Sequence, residues 1–218
     1  MHYIQKHILK VLAYAKYARF SEMRPPRVDS NAYSYHLKTM QRDAFVEKTD
    51  RGYRLSPKGL AYVDKVSLDD FEQRLQPKIM TLLVIKNAAG QILLHEKRRQ
   101  PFIGSKLLPS GKIHLEDTSL LAAAQRELRE KVGSAADGKL NHAGDVYIRS
   151  RIAGELVSSI AGHVFTGRLV GDEPLLDGNS WVRRDALTGY KLAPATADIL
   201  ADVETSGGFF FREYDIEW

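Results

Sequence analysis

The chain has 218 residues, of which 44% are hydrophobic and 27% charged, with a net charge of +5 and no cysteine. This length suits two domains that each bury a core, and the lack of cysteine excludes disulfides and thiolate metal sites and favours a reducing, cytoplasmic location. No apolar run approaches the roughly 18 residues of a membrane span, and the first residues carry no cleavage signal, so we expect no membrane partner and no signal peptide.

The excess positive charge lies entirely in the first third of the chain. Residues 1–76 contain 14 lysines and arginines against 9 acidic residues, whereas residues 77–218 contain 18 of each. A local basic excess favours a polyanionic partner, because basic side chains neutralise phosphates. A few surplus lysines on a small domain would give the same numbers, so charge alone leaves both interpretations open.

The first 44 residues predict three helical segments. A first helix is indicated by apolar residues at helical spacing, which are Ile4, Ile8, Leu9 and Leu12. The helical pattern ends near Arg19. The segment 20–30 predicts a short turn of helix that two prolines end. Asp29 or Ser30 can cap the next helix, over 31–44. Its predicted inward-facing residues are Tyr35, Leu37 and Met40.

A hairpin and a last helix follow. Short β-prone runs at 45–48 and 53–56 flank the turn TDRG. Pro57 suits the first position of a helix. Helix, short helix, helix, hairpin and helix is the order of a winged helix-turn-helix, and the run YSYHLKTMQRDAFVEKTDRGYRLSPKG resembles winged-helix transcription regulators. We therefore expect a domain at 1–70 and a linker at 71–77.

The resemblance implies that the helix over 30–42 enters the major groove of double-stranded DNA. The expected contacts combine an amide, hydroxyls and cations, which can pair with bases and phosphates; they are Ser30, Asn31, Tyr33, Ser34, Lys38 and, at the wing tip, Arg51. The same fold also serves as a protein-interaction or dimerisation module, so that alternative stays open.

Residues 78–218 predict a mixed sheet with few helices, so the whole chain is assigned to the α+β class. Strands at 80–87 and 92–99 flank a turn and predict an antiparallel pair. Further β-rich pieces lie at 145–151, 155–169 and 180–184, a helix near 194–204 and an aromatic strand at 209–218. The aromatic strand is expected at a sheet edge or an interface, and we include a homodimer among the expected assemblies.

The segment SGKIHLEDTSLLAAAQRELREKVG (110–133) predicts a helix with an unusual charged face. At about 100° per residue, Glu127, Glu130 and Lys131 lie within about 100° of one another. Arg126 lies one turn before Glu130 and can pair with it. Clustered carboxylates beside a glycine bend suit Mg²⁺, which prefers oxygen ligands and substrate phosphates. An exposed Glu127–Lys131 ion pair on a solvated helix would give the same sequence pattern, so that interpretation stays open.

This segment resembles the signature of the Nudix hydrolases, which is glycine, five residues, an acid, seven residues, Arg-Glu-aliphatic, any residue, Glu-Glu, any residue, glycine and an aliphatic residue. The matching positions are Gly111, Asp117, Arg126, Glu127, Leu128, Glu130 and Gly133. The preceding QILLHEKRR and LLPSGK also resemble the family. The resemblance covers about residues 78–205.

The resemblance implies a hydrolase of nucleoside diphosphate derivatives that uses Mg²⁺ or Mn²⁺. Glu127 and Glu130 would be metal ligands and catalytic carboxylates, with Asp117 and Glu116 as further ligands. The residues expected to contact the substrate are Gly111, Lys112, Arg99, Arg126 and Lys131. Lys97, Arg98 and Arg99 could hold substrate phosphates or form a solvated turn. His114 could contact the substrate, but an exposed loop residue is the favoured interpretation.

Three departures from the signature concern activity more than fold. Eight residues rather than seven follow Asp117, Lys131 replaces a glutamate, and Ser134 replaces an aliphatic residue. At 4–6 Å and an effective dielectric constant near 20, each unit of the charge change at Lys131 corresponds to roughly 3–4 kcal/mol before screening. Asp172 or Glu173 are candidates for a replacement oxygen.

Three functions therefore remain after sequence analysis. The first is a Mg²⁺-dependent hydrolase fused to a DNA-binding domain. The second is a transcription regulator whose Nudix domain binds a nucleotide derivative with little or no hydrolysis. The third is a hydrolase fused to an assembly module that does not bind DNA.

Overall fold

The computed structural model describes residues 1–72, 75–133, 139–169 and 175–218. The chain divides into two compact units, Met1–Leu75 and Gln76–Trp218. Both units contain helices and strands, which confirms the predicted α+β class. Phe71 packs against the core of the first unit, and Lys10 forms an ion pair with Asp69, so the first unit continues through these residues.

The first unit has three helices and one hairpin. Its elements are α1 (Tyr3–Ala13), α2 (Ser30–Arg42), β1 (Val46–Thr49), β2 (Gly52–Leu55) and α3 (Pro57–Val63). Helix α1 ends well before Arg19, because Ala18 leaves the helix to pair with Tyr53 of β2 through two backbone hydrogen bonds. The predicted short helix is a turn in which the Glu22 amide donates to the Arg19 carbonyl.

Helix α2 corrects two predictions about tyrosines. Asp29 caps the helix and accepts from the amides of Asn31 and Ala32. Tyr33 is 0% exposed and packs with Leu37 and Met40, whereas Tyr35 is 67% exposed. The inward stripe therefore begins at Tyr33, which is one and two turns from its partners. Tyr35 was wrongly predicted to face inward, and Tyr33 cannot be a surface contact to DNA.

The second unit is built on an eight-stranded mixed sheet. Its strands are β3 (Lys78–Lys86), β4 (Ile92–Glu96), β5 (Lys106–Leu107), β6 (Ser110–Lys112), β7 (Asn141–Ile152), β8 (Glu155–Arg168), β9 (Asn179–Val182) and β10 (Phe210–Glu217). The main order is β10-β7-β8-β3-β4-β5, with β6 paired to β3 and β9 paired to β4. Strand β3 runs parallel to β8 and β10 runs parallel to β7, while the other pairs are antiparallel.

Two helices cover opposite faces of this sheet, because alternate residues of a strand point to opposite faces. Helix α4 (Leu120–Val132) covers a core formed by Leu83, Ile85, Leu93, Ala124, Leu128, Val132, Leu140 and Phe165. Helix α5 (Thr196–Thr205), which follows a 3-10 helix at Arg184–Gly189, covers a core that includes Leu82, Val84, Ile92, Leu94, Ile199 and Leu200. No helix in the described part of the chain has the length and apolar character to cross a bilayer.

Candidate functional site

A cavity of about 750 Å³ opens in the second unit between β3, β6, one end of α4 and the loop after β4. Six of the predicted site residues line it: Arg99, Gly111, Lys112, Glu127, Glu130 and Lys131. His114 lines it as well. Glu116, Asp117 and Arg126 are not among the lining residues. Six of the predicted site residues therefore share one cavity, and the other three lie outside its wall.

Helix α4 positions the two glutamates. Ser119 caps the helix by accepting from the Ala122 amide at 3.0 Å, and Gly133 ends it with a φ of 114°. The segment that holds Glu116 and Asp117 is therefore loop, which has room for the extra residue of the signature without rotating the helix. Glu127 and Glu130 both reach the cavity.

Glu127 is packed against the backbone of β6. It is 4% exposed, and a Cβ added to Gly111 would lie 1.7 Å from its Cδ and 1.8 and 2.0 Å from its two carboxylate oxygens. Any side chain at position 111 would occupy the volume of the carboxyl group. Glycine is therefore required here by close packing against an acidic side chain.

The Arg126 guanidinium holds the carboxylates in place. Its Nε and one Nη donate to Asp117 at 3.0 and 2.9 Å, and it also donates to Glu127 Oε1 at 2.6 Å, to Glu130 Oε1 at 3.3 Å and to the Lys112 carbonyl at 2.9 Å. These bonds use all five guanidinium N–H groups. The predicted Arg126–Glu130 pair is present. No N–H group remains for a substrate, so the structure makes Arg126 a positioning residue instead of a substrate contact.

Asp117 belongs to this Arg126 network, and its predicted role as a metal ligand is corrected. Its carboxylate accepts from Arg126 through both oxygens and from the His114 amide at 2.8 Å. The hydrogen bonds from Arg126, followed by that from His114, hold the pKa of Asp117 far below its usual value. Glu116 is exposed and outside the cavity. Asp172 and Glu173 lie outside the described residues.

Five cationic residues line the cavity from β3, the loop after β4 and β6, and one of them, Arg98, pairs with Asp177. The other four form a cation cluster that consists of Lys78, Lys97, Arg99 and Lys112. Burial lowers the pKa of Lys78, and the charge of Lys112 lowers it further. Burial also lowers the pKa of Lys97, with contributions from Lys78 and Arg99. Within the described ranges no member of the cation cluster forms an ion pair.

The sequence pattern did not indicate Lys78 as a site residue, and it left the role of Lys97 open. Lys78 was expected just before the first strand of the second unit, at 80–87, yet it starts β3 and donates to Ser158 Oγ of the parallel strand β8 at 3.1 Å. Arg98 is instead tied to Asp177 at 2.5 Å. The only sequence signal for the cation cluster was the basic run at 97–99. The cluster otherwise depends on contacts between segments that are far apart in the chain.

The rest of the cavity wall is largely apolar. Its apolar residues come from the inner strands β3, β7 and β8, the edge strand β5, α5 and the neighbouring loops, and they are Met80, Leu82, Phe102, Leu107, Leu108, Ile148, Ile160, Ala193, Pro194 and Ile199. The cavity thus combines a charged end, which holds the glutamates and the cation cluster, with a hydrophobic surface. Such a combination suits a ligand that has both an anionic and an apolar part.

On the first unit, the residues predicted to contact DNA separate into two groups. Ser30, Asn31 and Lys38 are exposed on α2, and Ser34 is half-buried on that helix. Arg51 is exposed in the hairpin turn, with its guanidinium 5.8 Å from the ring centre of Tyr17. Only Tyr33 is withdrawn from the surface.

Comparison with protein families confirms the predicted resemblance of the second unit. A model of the NUDIX domain matches residues 76–203, which is more than half of the chain. A model described as a domain of unknown function (DUF7347) matches residues 3–66. No curated protein sequence matches the chain.

Several solved structures resemble the chain. The NUDIX domain of Shewanella oneidensis NrtR in complex with ADP ribose is 16% identical, with a TM-score of 0.52, and the match covers 67% of this chain and 97% of that one. A MutT protein from Methanosarcina mazei Go1 is 26% identical, with a TM-score of 0.48 and coverage of 61% and 98%. Shewanella oneidensis NrtR with a 27mer DNA is 17% identical, with a TM-score of 0.48 and coverage of 59% and 61%. The first of these likenesses supports the fold alone.

Proposed function

Because this chain belongs to the Nudix family, we propose that its cavity binds a nucleoside diphosphate derivative and hydrolyses the diphosphate with Mg²⁺ or Mn²⁺. One observation carries the proposal. The cation cluster lies in the same cavity as the two glutamates of α4. Cations suit phosphate oxygens, and the glutamates suit the metal ion that such phosphates bring with them.

The lowered pKa values support a phosphate ligand. Lys78 and Lys97 are partly buried beside other cations, and this arrangement costs free energy until an anion neutralises it. A diphosphate would offset that repulsion. The apolar wall then accommodates the nucleoside part of the ligand.

The residues present fit a hard divalent cation. Glu127 and Glu130 each give one oxygen to Arg126, and within the described ranges their Oε2 atoms accept no hydrogen bond. At least one of these two free oxygens would hold the ion, which supplies neutralisation of phosphate charge and a more acidic bound water. The other would be available to accept a proton from that water. Lys131 faces the cavity where the family signature has a third carboxylate, so the ion would be held less strongly than by three acids.

In the proposed reaction a water oxygen attacks one phosphorus atom, and the bond from that phosphorus to the bridging oxygen breaks. Glu127 or Glu130 accepts the proton of the water, and the leaving phosphate gains a proton from solvent. The products are two phosphate monoesters. The cation cluster contributes by stabilising the charge that develops on the leaving oxygen.

A ligand screen tests this function. The Nudix domain of Shewanella oneidensis NrtR was solved with ADP ribose, so ADP ribose is the first compound to test, followed by other nucleoside diphosphate derivatives. Product chromatography and thermal shift are read together, with and without Mg²⁺. We expect AMP and ribose phosphate from ADP ribose, or the corresponding monoesters from another member of the panel.

Variants of the cation cluster test whether the ligand binds at this end of the cavity. Lys78→Met and Lys97→Met should each weaken binding about tenfold or more, because a charge-assisted hydrogen bond contributes roughly 1.5–3 kcal/mol. Lys139→Met, an exposed position outside the cavity, is the matched control and should bind normally. Equal affinity in all three variants would contradict the proposed site.

A second candidate function is a nucleotide-sensing transcription regulator. Lys131 in the cavity favours it, because the replacement of an anionic ligand by a cation reduces metal affinity. The basic first unit, with exposed Asn31, Lys38 and Arg51, supplies a DNA-binding surface. Binding of the ligand without product formation, together with a change in DNA affinity, would favour this candidate over the hydrolase.

A further inference from the structure

Two histidines and an aspartate meet on β7 and β8, away from the residues that line the cavity. His142 Nε2 lies 2.8 Å from Asp145 Oδ1, and His163 Nδ1 lies 2.7 Å from the same oxygen. The three ligand atoms all lie within 4.8 Å of one another. In the described part of the chain, this triad is the only group of three or more histidine, cysteine, aspartate or glutamate side chains whose ligand atoms lie this close together.

A β-bulge brings two members of the triad to one face of the sheet. His142 pairs with Phe165 and Asp145 pairs with His163, but the register skips Ala143. In a regular strand, positions 142 and 145 would point to opposite faces. The extra residue reverses the alternation, so that His142 and Asp145 lie on the side of His163 while Ala143 packs into the opposite core. Bulges that redirect side chains are frequent beside functional sites.

The ring of His142 is held by aromatic neighbours. It stacks on Phe165, with ring centres 4.9 Å apart and planes 19° apart, and Phe209 contacts it edge-on at 5.3 Å. His163 lies on the central part of β8 and is half-buried. Since both rings are already placed, a ligand that bridges them would restrict little additional side-chain freedom.

The donor set selects a class of ion. Two imidazole nitrogens and one carboxylate oxygen suit first-row divalent transition metals, whereas Mg²⁺ and Ca²⁺ prefer oxygen ligands. Three protein ligands leave a coordination position for water, and the side chains of the triad are 33%, 36% and 23% exposed in chain order. Nitrogen and oxygen ligands of tetrahedral Zn²⁺ lie roughly 3.3 Å apart, so the triad would open by about half an ångström on binding.

We propose that His142, Asp145 and His163 bind one divalent transition-metal ion of the Zn²⁺ type as a clip between β7 and β8. The ion replaces the two hydrogen bonds that the imidazoles make to Asp145. This site is separate from the glutamates of α4 in both position and ligand chemistry. Its ligands come from adjacent strands, so binding should stabilise the strand pair.

The test uses the full-length protein after chelator treatment, with Zn²⁺ for calorimetry and Co²⁺ as a spectroscopic probe. Excess Mg²⁺ is present to occupy carboxylate-only sites. We expect one Zn²⁺ per chain, visible Co²⁺ absorption bands that Zn²⁺ abolishes, and a rise in Tm that a chelator reverses, because an ion that binds only the native state stabilises it.

Variants assign the ligands. His142→Gln, Asp145→Asn and His163→Gln should each weaken Zn²⁺ binding tenfold or more and remove the Co²⁺ bands. His7→Gln, which removes a histidine from the first unit, is the control and should leave both unchanged. Zn²⁺ binding that survives all three substitutions, or no stoichiometric binding by the native protein, would overturn the proposal. The reversible Tm shift of the native protein requires no variant, so a poorly folded variant does not prevent a decision.

Discussion

At the scale of single residues, the contact between Gly111 and Glu127 gives the sharpest prediction. Gly111→Ala places a methyl group where the Glu127 carboxyl group lies. The carboxylate must move or β6 must shift, so we expect a loss of stability of about 1–3 kcal/mol, typical of overpacking. We also expect weaker Mg²⁺-dependent turnover, because the displaced oxygen is a proposed metal ligand.

Gly208→Ala provides the control for this substitution. An added Cβ at Gly208 would meet no atom within 4 Å, so stability and turnover should be close to those of the native protein. Chemical denaturation and product formation measure the two effects. A Gly111→Ala protein with native stability and native turnover would show that Glu127 does not occupy this position.

Asp117 gives a prediction about pH. The pKa of Asp117 is lowered, chiefly by the Arg126 hydrogen bonds. A carboxyl group with a lowered folded-state pKa contributes stability above its unfolded value, near 4, and this contribution is lost as the pH falls towards the folded pKa. Asp117→Asn should therefore lower Tm at neutral pH, and the difference from the native protein should shrink in acid. A difference independent of pH between 7 and 2 would contradict this role.

The signature residues of the site could be identified from the sequence, but the side chains that they contact could not. The signature located Glu127, Glu130 and Gly111, all of which line the cavity. The same signature included Arg126 and Asp117, whose side chains bond to one another instead. Whether a charged side chain faces a ligand or another side chain depends on distances that spacing along the chain does not contain.

At the scale of elements, α2 has a core face and an exposed face, and the exposed face is the one predicted to bind DNA. Lys38→Glu should weaken binding to duplex DNA and change its salt dependence, because each phosphate contact contributes about one unit to the slope of log affinity against log salt. Tyr33→Phe should leave DNA affinity unchanged, since Tyr33 is buried. Electrophoretic mobility or fluorescence anisotropy at several salt concentrations measures both.

The Tyr33 variant also reports on stability. In the part of the chain that the structure describes, the buried Tyr33 hydroxyl has no hydrogen-bond partner. An unsatisfied buried hydroxyl costs roughly 1–3 kcal/mol, so Tyr33→Phe should be as stable as the native protein or more stable. DNA binding that depends on the Tyr33 hydroxyl but not on Lys38 would reverse the assignment of the two faces.

Periodicity located the elements more reliably than their ends or their inward faces. The strand pair at β3 and β4 and the helix α4 follow directly from apolar spacing and from the turn between the strands. The end of α1 was misplaced, because Ala18 pairs with β2. The inward face of α2 was displaced by two residues, because tyrosine is compatible with either environment. The end of α1 and the inward face of α2 both depend on contacts between segments that are distant in the sequence.

At the scale of the whole molecule, the two units should fold independently. Phe71 belongs to the first core and β3 begins at Lys78, so fragments 1–75 and 76–218 each contain a complete core. We expect each fragment to unfold cooperatively, as small domains do, and fragment 76–218 to keep the ligand affinity of the full chain. Circular dichroism and calorimetry measure these properties. Loss of ordered structure in either fragment would contradict the division.

The most direct measurement of the central claim compares Mg²⁺-dependent hydrolysis of the best ligand by the native protein, Glu127→Gln and Lys131→Glu. Glu127→Gln should abolish turnover, because it removes an anionic ligand and keeps the shape of the side chain. Lys131→Glu should raise Mg²⁺ affinity and turnover about tenfold or more. A tenfold change in rate corresponds to about 1.4 kcal/mol, which is less than the roughly 3–4 kcal/mol that one unit charge contributes at 4–6 Å before screening. Lys131→Gln should lie between the native protein and Lys131→Glu. Weaker ligand binding by Lys131→Glu without faster turnover would instead make Lys131 a phosphate contact, and no effect of any of the three changes would contradict the claim that this face of α4 is the site.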